Sequence, residues 1–277
     1  MTDVLRPIKS VVKQTPLWPL LRPRRFHAYG VGASKTGTTS IAKMFGEKYR
    51  VGHEQHLEKT VSLIRGKMNG SLSWKEILSA LKDRENQMRL ECESNSLLAY
   101  LSSELAELFP KARFILTVRE PYSWLSSNLK QHLSSPYSQL LSPYKRARDT
   151  RRKLYGVLSD DDFPEEEEAL RRKGVWNIEA YLRYWSHQNR VVLNSVPDDR
   201  LLIIETTEIS SSLNTISEFL EIPPDGLSRE QSHTNSSKTG KDLIKELDRG
   251  YVDRQIDRYC SDMIRTLKAK CDDQLRF

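Results

Sequence analysis

The sequence predicts an α/β protein with a central parallel β-sheet wrapped by helices. Short apolar runs alternate with segments of helical periodicity along most of the 277 residues, an order that is typical of parallel strands joined by helices. The run ARFILTVRE at residues 112–120 is almost continuously apolar, as expected for a central strand with both faces covered. A glycine-rich turn also stands between the first apolar run and the first helical pattern.

The strands and helices form a single predicted domain, residues 26–277, after a basic N-terminal arm, residues 1–25. Strands are predicted at residues 26–33, 49–54, 88–94, 112–120 and 200–206. Helices are predicted at residues 39–49, 96–109, 123–133, 174–196 and 212–222. A further helix begins near Ser73, because Glu76 three residues later completes a capping box.

One segment, residues 134–175, departs from this alternation. It carries a basic run at 145–153, an acidic run at 160–168 and three prolines, so it offers little apolar surface to the core. Two interpretations stay open. The segment is either a solvated surface insertion or a lid-like cover over a substrate pocket.

Composition favours an anionic partner and a cytoplasmic location. The formal net charge is +7, which suits nucleic acid, a membrane surface or a phosphorylated small molecule. Three scattered cysteines are too few for a disulfide framework or a zinc site, and they indicate a reducing compartment. No stretch approaches the ~20 apolar residues of a membrane helix. We therefore expect no membrane partner.

The glycine-rich turn YGVGASKTGTTS, residues 29–40, has the composition of a phosphate-binding loop. Gly32 and Gly37 allow a tight turn, which points backbone N–H groups at one spot beside a helix N-terminus. Lys35 adds a positive charge, but it precedes the last glycine. In nucleoside-triphosphatase loops the lysine follows that glycine.

The position of Lys35, before rather than after the last glycine, is the strongest evidence for a family resemblance. The stretch GASKTGTTS, residues 32–40, resembles the 5′-phosphosulfate loop G-x-x-K-[TS]-G-T-T-[ST] of the nucleotide-dependent sulfotransferases. The resemblance implies their P-loop fold, 3′-phosphoadenosine 5′-phosphosulfate (PAPS) as sulfuryl donor, PAP as product and no metal. It implies that the donor is contacted by Ser34, Lys35, Thr36, Gly37, Thr38, Thr39 and Ser40.

A second motif agrees with this resemblance. The family binds the 3′-phosphate with an arginine at the end of a central strand and a serine eight residues later, which are Arg119 and Ser127 here. A guanidinium grips a terminal phosphate through two hydrogen bonds. Further on, SHTNSSK at 232–238 resembles a segment near the nucleotide in bacterial-type members, which implies roles for His233, Asn235 and Lys238. Trp124 and this segment are candidates for the adenine contact.

Transfer to a hydroxyl or amine also needs a base for the acceptor proton. Lys35 suits the stabilisation of charge on the leaving oxygen, so it is a catalytic candidate. Base candidates come from GHEQH at 52–56 and ECESN at 91–95, and they are His53, Glu54, Glu93 and His56. His53 and Glu54 rank first, Glu93 next and His56 after them. His132, in the helix after Arg119, is a candidate for binding the acceptor.

The predicted function is therefore sulfuryl transfer from PAPS to a small-molecule metabolite or natural product, with no nucleic-acid partner and a monomer or homodimer as the assembly. Two other classes stay open. A P-loop kinase would carry a lysine where Thr38 stands and an acidic Mg²⁺ ligand at a strand end. A non-catalytic nucleic-acid-binding protein would interleave aromatic residues with its basic clusters, which this chain scarcely does.

Overall fold

A five-stranded parallel sheet forms the centre of the computed structural model. The structure describes residues 23–46, 48–134, 149–150, 152–156, 163–232, 242–271, 275 and 277. Within these residues the strands are β1 (Ala28–Gly30), β2 (Val51–His53), β3 (Cys92–Ser94), β4 (Arg113–Val118) and β5 (Leu201–Glu205). Their order is β2-β3-β1-β4-β5, and every neighbouring pair is parallel. The predicted fold class is confirmed.

Helices cover both faces of this sheet. In the described residues they are α1 (Thr38–Met44), α2 (Leu57–Met68), α3 (Trp74–Met88), α4 (Ser102–Leu108), α5 (Pro121–Ser134), α6 (Glu168–Arg172), α7 (Ile178–Ser195), α8 (Leu213–Leu220) and α9 (Arg249–Lys270). Side-chain caps explain several starting points. Ser73 and Glu76 form the predicted capping box of α3, and Asn177 and Asp248 cap α7 and α9. No helix among the described residues is long and apolar enough to cross a membrane.

Strand β4 divides the core into two apolar layers. Phe114, Leu116 and Val118 lie in the larger cluster, which also contains residues of α3, α5, α7 and α9. Ile115 points to the opposite face, into a smaller cluster formed with α1 and α8. Because successive strand residues face opposite sides, a strand that is covered on both faces needs apolar residues at consecutive positions. The apolar run at 112–120 therefore marks this strand correctly.

Several element bounds differ from the predictions. The expected helix 96–109 begins as a 3₁₀ helix, Ser96–Leu101, and becomes α-helical only at Ser102. The expected strand 88–94 is shorter, because Arg89 takes a left-handed conformation (φ 45°) that ends α3 and turns the chain towards β3. Helices α2 and α9 were not predicted, since charged residues dilute their apolar stripes.

The described part of residues 134–175 is anchored to the core, contrary to the expectation of little apolar surface. The ring of Tyr155 stacks on Tyr184 of α7 with centroids 3.8 Å apart and an interplanar angle of 5°. Leu170 of α6 is fully buried in the larger apolar cluster. Glu167 accepts hydrogen bonds from the Tyr251 hydroxyl (2.7 Å) and the Ile178 N–H (2.8 Å). The predicted lid stays a prediction, because residues 135–148, 151 and 157–162 lie outside the described residues.

The buried carboxylate of Glu91 connects chain segments at the amino-terminal ends of the strands. Glu91 immediately precedes β3, and its Oε1 accepts from Arg25 Nε at 2.8 Å. Its Oε2 accepts from the Arg50 backbone N–H at 2.9 Å. Although burial alone would raise the pKa of Glu91, its hydrogen bonds to Arg25 and Arg50 lower that pKa to about 2. Glu91 therefore stabilises the folded protein as a carboxylate, and it lies at the opposite end of the strands from the loop that follows β1.

The first prediction concerns the variant Glu91→Gln. The pKa of Glu91 falls from 4.5 in the unfolded chain to about 2 in the folded protein. The variant should therefore lower the free energy of unfolding at pH 7 by roughly 3 kcal/mol. Because the wild type gains this stability only above its depressed pKa, the difference should shrink as the pH falls from 4.5 towards 2. Urea unfolding followed by tryptophan fluorescence across this pH range measures the difference.

The matched control is Glu221→Gln. Glu221 pairs with Arg113 on the surface, where its side chain is 75% exposed. Exposed pairs contribute about 0–1 kcal/mol, so this variant should unfold nearly as the wild type does. Equal losses for the two variants at pH 7 would contradict the anchoring role of Glu91.

Candidate active site

The loop between β1 and α1 lies against the carboxyl end of β4, and two glycines make this possible. A Cβ atom on Gly32 would lie 2.0 Å from Thr117 Oγ1, so the loop can approach β4 this closely only without a side chain. Gly37 has φ 102°, and a Cβ there would lie 2.3 Å from Ile209 Cδ1. Both glycines of the predicted loop are therefore required by its geometry.

Side chains from distant elements hold the loop carbonyls. Trp124 Nε1 on α5 donates to the Ser34 carbonyl at 2.9 Å. Thr206, directly after β5, places its Oγ1 2.8 Å from both the Thr36 and the Val118 carbonyl oxygens. Since C=O and the following N–H point in opposite directions across a trans peptide, these contacts turn the N–H groups of Lys35 and Gly37 away from Trp124 and Thr206. Such oriented N–H groups form an anion-binding cradle.

The remaining residues predicted to contact the donor are Ser34 and Thr36 in the loop and Thr38, Thr39 and Ser40 in the first turn of α1. Thr36 Oγ1 donates to the Ala33 carbonyl at 2.7 Å and lies 2.8 Å from Thr117 Oγ1, so this hydroxyl supports the loop from beneath. Ser34 Oγ donates to Asn128 Oδ1 of α5 at 3.2 Å. Thr38, Thr39 and Ser40 open α1, whose first N–H groups have no acceptor within the helix.

Two cations meet at this loop. Arg119 follows β4, and its Nη1 donates to the Lys35 carbonyl at 3.3 Å while its Nε donates to Ser123 Oγ at 3.1 Å. Burial and the nearby Arg119 charge lower the pKa of Lys35, and burial lowers the pKa of Arg119. Neither side chain forms an ion pair within the described residues. Glu120 acts electrostatically on Arg119, but the two cations still leave a net positive charge beside the loop, which suits a bound anion.

Helix α5 presents a line of hydroxyls beside Arg119. Glu120 caps this helix by accepting from the Tyr122 N–H (2.8 Å) and the Ser123 N–H (2.7 Å). Ser123 and the predicted Ser127 are four residues apart and therefore share one helix face. Because Ser123 holds the guanidinium of Arg119, it is a site residue that the sequence analysis missed. An i, i+4 serine pair next to the strand-end arginine was the available signal.

Trp124, a candidate for the adenine contact, has no exposed ring face in this structure. Its side chain is fully buried, and its ring stacks on Tyr184 with centroids 6.1 Å apart. Together with its hydrogen bond to Ser34, this makes Trp124 a support beneath the loop. His233, Asn235 and Lys238 lie outside the described residues. The chain on either side of them is fastened, through Ser232 Oγ to Ser210 Oγ at 2.7 Å and Asp242 Oδ1 to Ser126 Oγ at 2.8 Å.

Among the base candidates, His53 contacts α1, the helix that follows the loop. It ends β2, and its Nε2 lies 3.3 Å from Thr39 Oγ1 and 3.5 Å from Thr38 Oγ1. Glu54 follows it in the left-handed region (φ 53°), and its N–H donates to the Ser94 carbonyl at 3.2 Å. His56 is exposed and forms the N-cap residue of α2.

Glu93 and His132 are placed elsewhere. Ser94 Oγ donates to the Thr38 carbonyl of α1, so its strand neighbour Glu93 faces the other side of the sheet. There both Glu93 carboxylate oxygens accept from Arg84. His132 Nδ1 contacts the Tyr181 hydroxyl, and its ring packs edge-on against Trp176 with centroids 4.9 Å apart. The described contacts bring neither residue to the loop.

Three solved structures similar to this chain are described as sulfotransferases or sulfotransferase domains. A sulfotransferase from Alicyclobacillus acidocaldarius is 16% identical, with 90% of this chain and 98% of that chain covered and a TM-score of 0.47. A sulfotransferase domain from the curacin biosynthetic pathway is 14% identical, with 82% and 84% covered and a TM-score of 0.42. One from the Synechococcus PCC 7002 olefin synthase is 14% identical, with 86% and 88% covered and a TM-score of 0.38. No curated protein matches the chain.

The family model described as "Sulfotransferase domain" matches residues 29–238, which is more than half of the chain. The matched region begins in β1 and includes the loop with Lys35, the strand end with Arg119 and the helix with Ser127. These are the elements that the geometry brings together, because Arg119 donates to the Lys35 carbonyl and Trp124, on the helix of Ser127, donates to the Ser34 carbonyl. The chain therefore belongs to the sulfotransferase family, whose reaction is sulfuryl transfer.

Proposed function

We propose that the protein transfers a sulfuryl group from PAPS to a hydroxyl or amine of a small-molecule metabolite or natural product and releases PAP. The observation that carries this proposal is the convergence of Lys35 and Arg119, two partly buried cations that form no ion pair among the described residues, with Arg119 donating to the Lys35 backbone carbonyl. Burying charges of like sign together is costly unless an anion joins them. The set of donors fits a polyanionic nucleotide, because it consists of cations, hydroxyls and loop N–H groups.

When bound, PAPS supplies the sulfuryl group and a stable phosphate leaving group. Lys35 stabilises the negative charge that develops on the leaving oxygen, and the N–H groups of the loop support it. Arg119 and Ser127 bind the 3′-phosphate, with Ser123 fixing the orientation of the guanidinium. These residues hold the donor in place and contribute positive charge at the reacting oxygen.

We propose His53 as the base that accepts the acceptor proton. Its Nε2 contacts the hydroxyls of Thr38 and Thr39 at the start of α1, and this contact supports a role for the imidazole beside the bound donor. A histidine needs little adjustment of its pKa to serve near neutral pH. Glu54 is the alternative, because it lies on the same turn. Glu93 ranks below both since Arg84 occupies its two oxygens, and His56 remains last.

The proposal retains a monomer or homodimer that binds a small acceptor, with no nucleic-acid or membrane partner and with His132 near the acceptor. A cytoplasmic location is supported by Cys92 and Cys260, which are free thiols in the core. The kinase alternative is weakened by Glu120. Its two carboxylate oxygens cap α5, so the acidic residue at the end of β4 is not available as a Mg²⁺ ligand.

The second prediction separates the roles of the two cations. Arg119→Ala should weaken PAP binding about 10- to 100-fold, because it removes charge-assisted hydrogen bonds to a remote phosphate. Lys35→Ala should lower turnover about 100- to 1,000-fold with a smaller loss of PAP affinity, since the charge it stabilises grows during transfer. Calorimetry with PAP and a sulfonate-transfer assay measure the two effects. Lys43→Ala is the control, because Lys43 is an exposed lysine on α1.

Unchanged PAP affinity in Arg119→Ala would overturn the assignment of the 3′-phosphate site. Equal losses in Lys35→Ala and Lys43→Ala would overturn the catalytic role of Lys35.

The third prediction identifies the nucleotide. PAP should raise the melting temperature of the wild type, because a ligand that binds only the folded state stabilises it. ATP with Mg²⁺ and an oligonucleotide should have little effect, and transfer activity should persist in excess EDTA. A larger shift with ATP and Mg²⁺ than with PAP would favour the kinase, and a larger shift with the oligonucleotide would favour nucleic-acid binding.

The fourth prediction tests the base. His53→Gln should lower turnover about 100- to 10,000-fold, the usual contribution of general base catalysis. PAP affinity should change little, because the proton belongs to the acceptor. Glu54→Gln is the matched comparison on the same turn, and a loss of turnover confined to Glu54→Gln would transfer the role to that carboxylate. An acceptor screen by mass spectrometry, read as the gain of one sulfonate, supplies the substrate.

A further inference from the structure

The turn that follows β2 holds its backbone in an unfavourable conformation. Glu54 (φ 53°) and His56 (φ 49°) both lie in the left-handed region, where residues other than glycine are rare. Such conformations persist only where the surroundings hold them in place. The intervening Gln55 folds its side chain back over Gly52, where a Cβ would lie 2.5 Å from Gln55 Cγ. The turn therefore needs external contacts.

Arg84 of α3 supplies one of these contacts from inside the protein. Its Nη2 donates to the Gln55 carbonyl at 3.1 Å, between the two left-handed residues. The guanidinium is 2% exposed, and its other contacts are buried carboxylates: Nη1 lies 2.7 Å from Glu93 Oε2 and 3.2 Å from Glu85 Oε1. Because Glu93 belongs to β3, Arg84 ties the turn rigidly to the sheet.

The other contacts of the turn join it to β3 and to the start of α1. This helix directly follows the loop after β1, which we call the donor loop. The Glu54 N–H donates to the Ser94 carbonyl at 3.2 Å, and His53 Nε2 reaches Thr38 and Thr39 on α1. Without Arg84, the Gln55 carbonyl would lose this hydrogen bond, while the bond from the Glu54 N–H to the Ser94 carbonyl would remain. A shift of this turn would carry His53 and Glu54 away from the loop.

We propose that Arg84 is a positioning residue for sulfuryl transfer: through the Gln55 carbonyl it fixes the turn that presents the base to the donor loop. Glu93 and Glu85 hold the guanidinium in the required orientation. The inference rests on the proposed function, because it concerns the same base. It gives Glu93 a role in catalysis that acts through Arg84 rather than by proton transfer.

If Arg84 only stabilised the fold, breaking another contact of its ion-pair network should lower turnover as much as replacing Arg84 does. A variant of Arg24 tests this alternative. Arg24 Nη2 donates to Glu85 Oε2 at 2.9 Å, so it belongs to the same buried ion-pair network. The described contacts of Arg24 do not include the turn. Arg24→Gln therefore disturbs the network while leaving the bond between Arg84 and Gln55 in place, which makes it the matched control.

The experiment compares Arg84→Lys and Arg24→Gln in the full chain. In Arg84→Lys we expect turnover to fall about 10- to 100-fold, because small displacements of a catalytic group have effects of this size. The dissociation constant for PAP should stay within about threefold of the wild-type value, since the donor loop itself is intact. The NMR signal of the His53 Cε1–H, identified through His53→Gln, should shift in Arg84→Lys and remain unchanged in Arg24→Gln. Guanidinium added to Arg84→Ala should restore part of the turnover.

The outcomes are decisive in each case. Wild-type turnover in Arg84→Lys, or equal losses of turnover in Arg84→Lys and Arg24→Gln, would overturn the positioning role. If Arg84→Lys does not fold, Glu93→Gln replaces it under the same criteria, because it loosens the guanidinium without removing it. A wild type that shows neither PAP binding nor transfer from PAPS would instead overturn the proposed function. The His53 signal would then still show whether Arg84 fixes the turn.

Discussion

The close approach of Gly32 to Thr117 sets the geometry of the whole candidate site. It brings the loop after β1 against the carboxyl end of β4, so that one hydroxyl, that of Thr206, reaches a carbonyl on each. It also places Arg119, the residue after β4, beside the Lys35 carbonyl. A side chain on residue 32 would push the loop away from β4, because its Cβ would lie 2.0 Å from Thr117 Oγ1 and 2.7 Å from the Thr117 carbonyl oxygen. Glycine at position 32 therefore favours the convergence of the two cations.

Two buried ion-pair networks stabilise the sheet, and they differ in the parts of the structure that they connect. Near the amino-terminal ends of the strands, Glu91 binds the backbone N–H groups and the side chains of Arg25 and Arg50. On the face covered by α3, Arg84 and Glu93 extend to a turn that touches α1. Breaking a buried pair leaves an uncompensated charge, so both networks resist substitution. A loss of stability on substitution is therefore expected for both networks. It would not show which of them also positions residues of the proposed site.

The fold and the loop could be predicted from the sequence because their signals are local. The apolar run of β4, the capping box at Ser73 and the spacing of glycines around Lys35 each lie within a few residues. The supports of the site could not be predicted in this way. Thr206 binds a carbonyl 170 positions away, and Trp124 binds one 90 positions away. Glu93 was a reasonable base candidate by sequence, but strand alternation turns it to the opposite face, where Arg84 engages it.

The position of β1 in the sheet has a consequence for the order of folding. This strand is central, paired with β3 and β4, although it is the first to be synthesised. The loop that follows it is complete only when Thr206 bonds to Thr36, so most of the chain must have emerged before the loop can close. Contacts between residues so distant in sequence are slow to form, because a long stretch of chain must be ordered first. During synthesis, the loop therefore cannot reach its final geometry until the chain has emerged as far as Thr206.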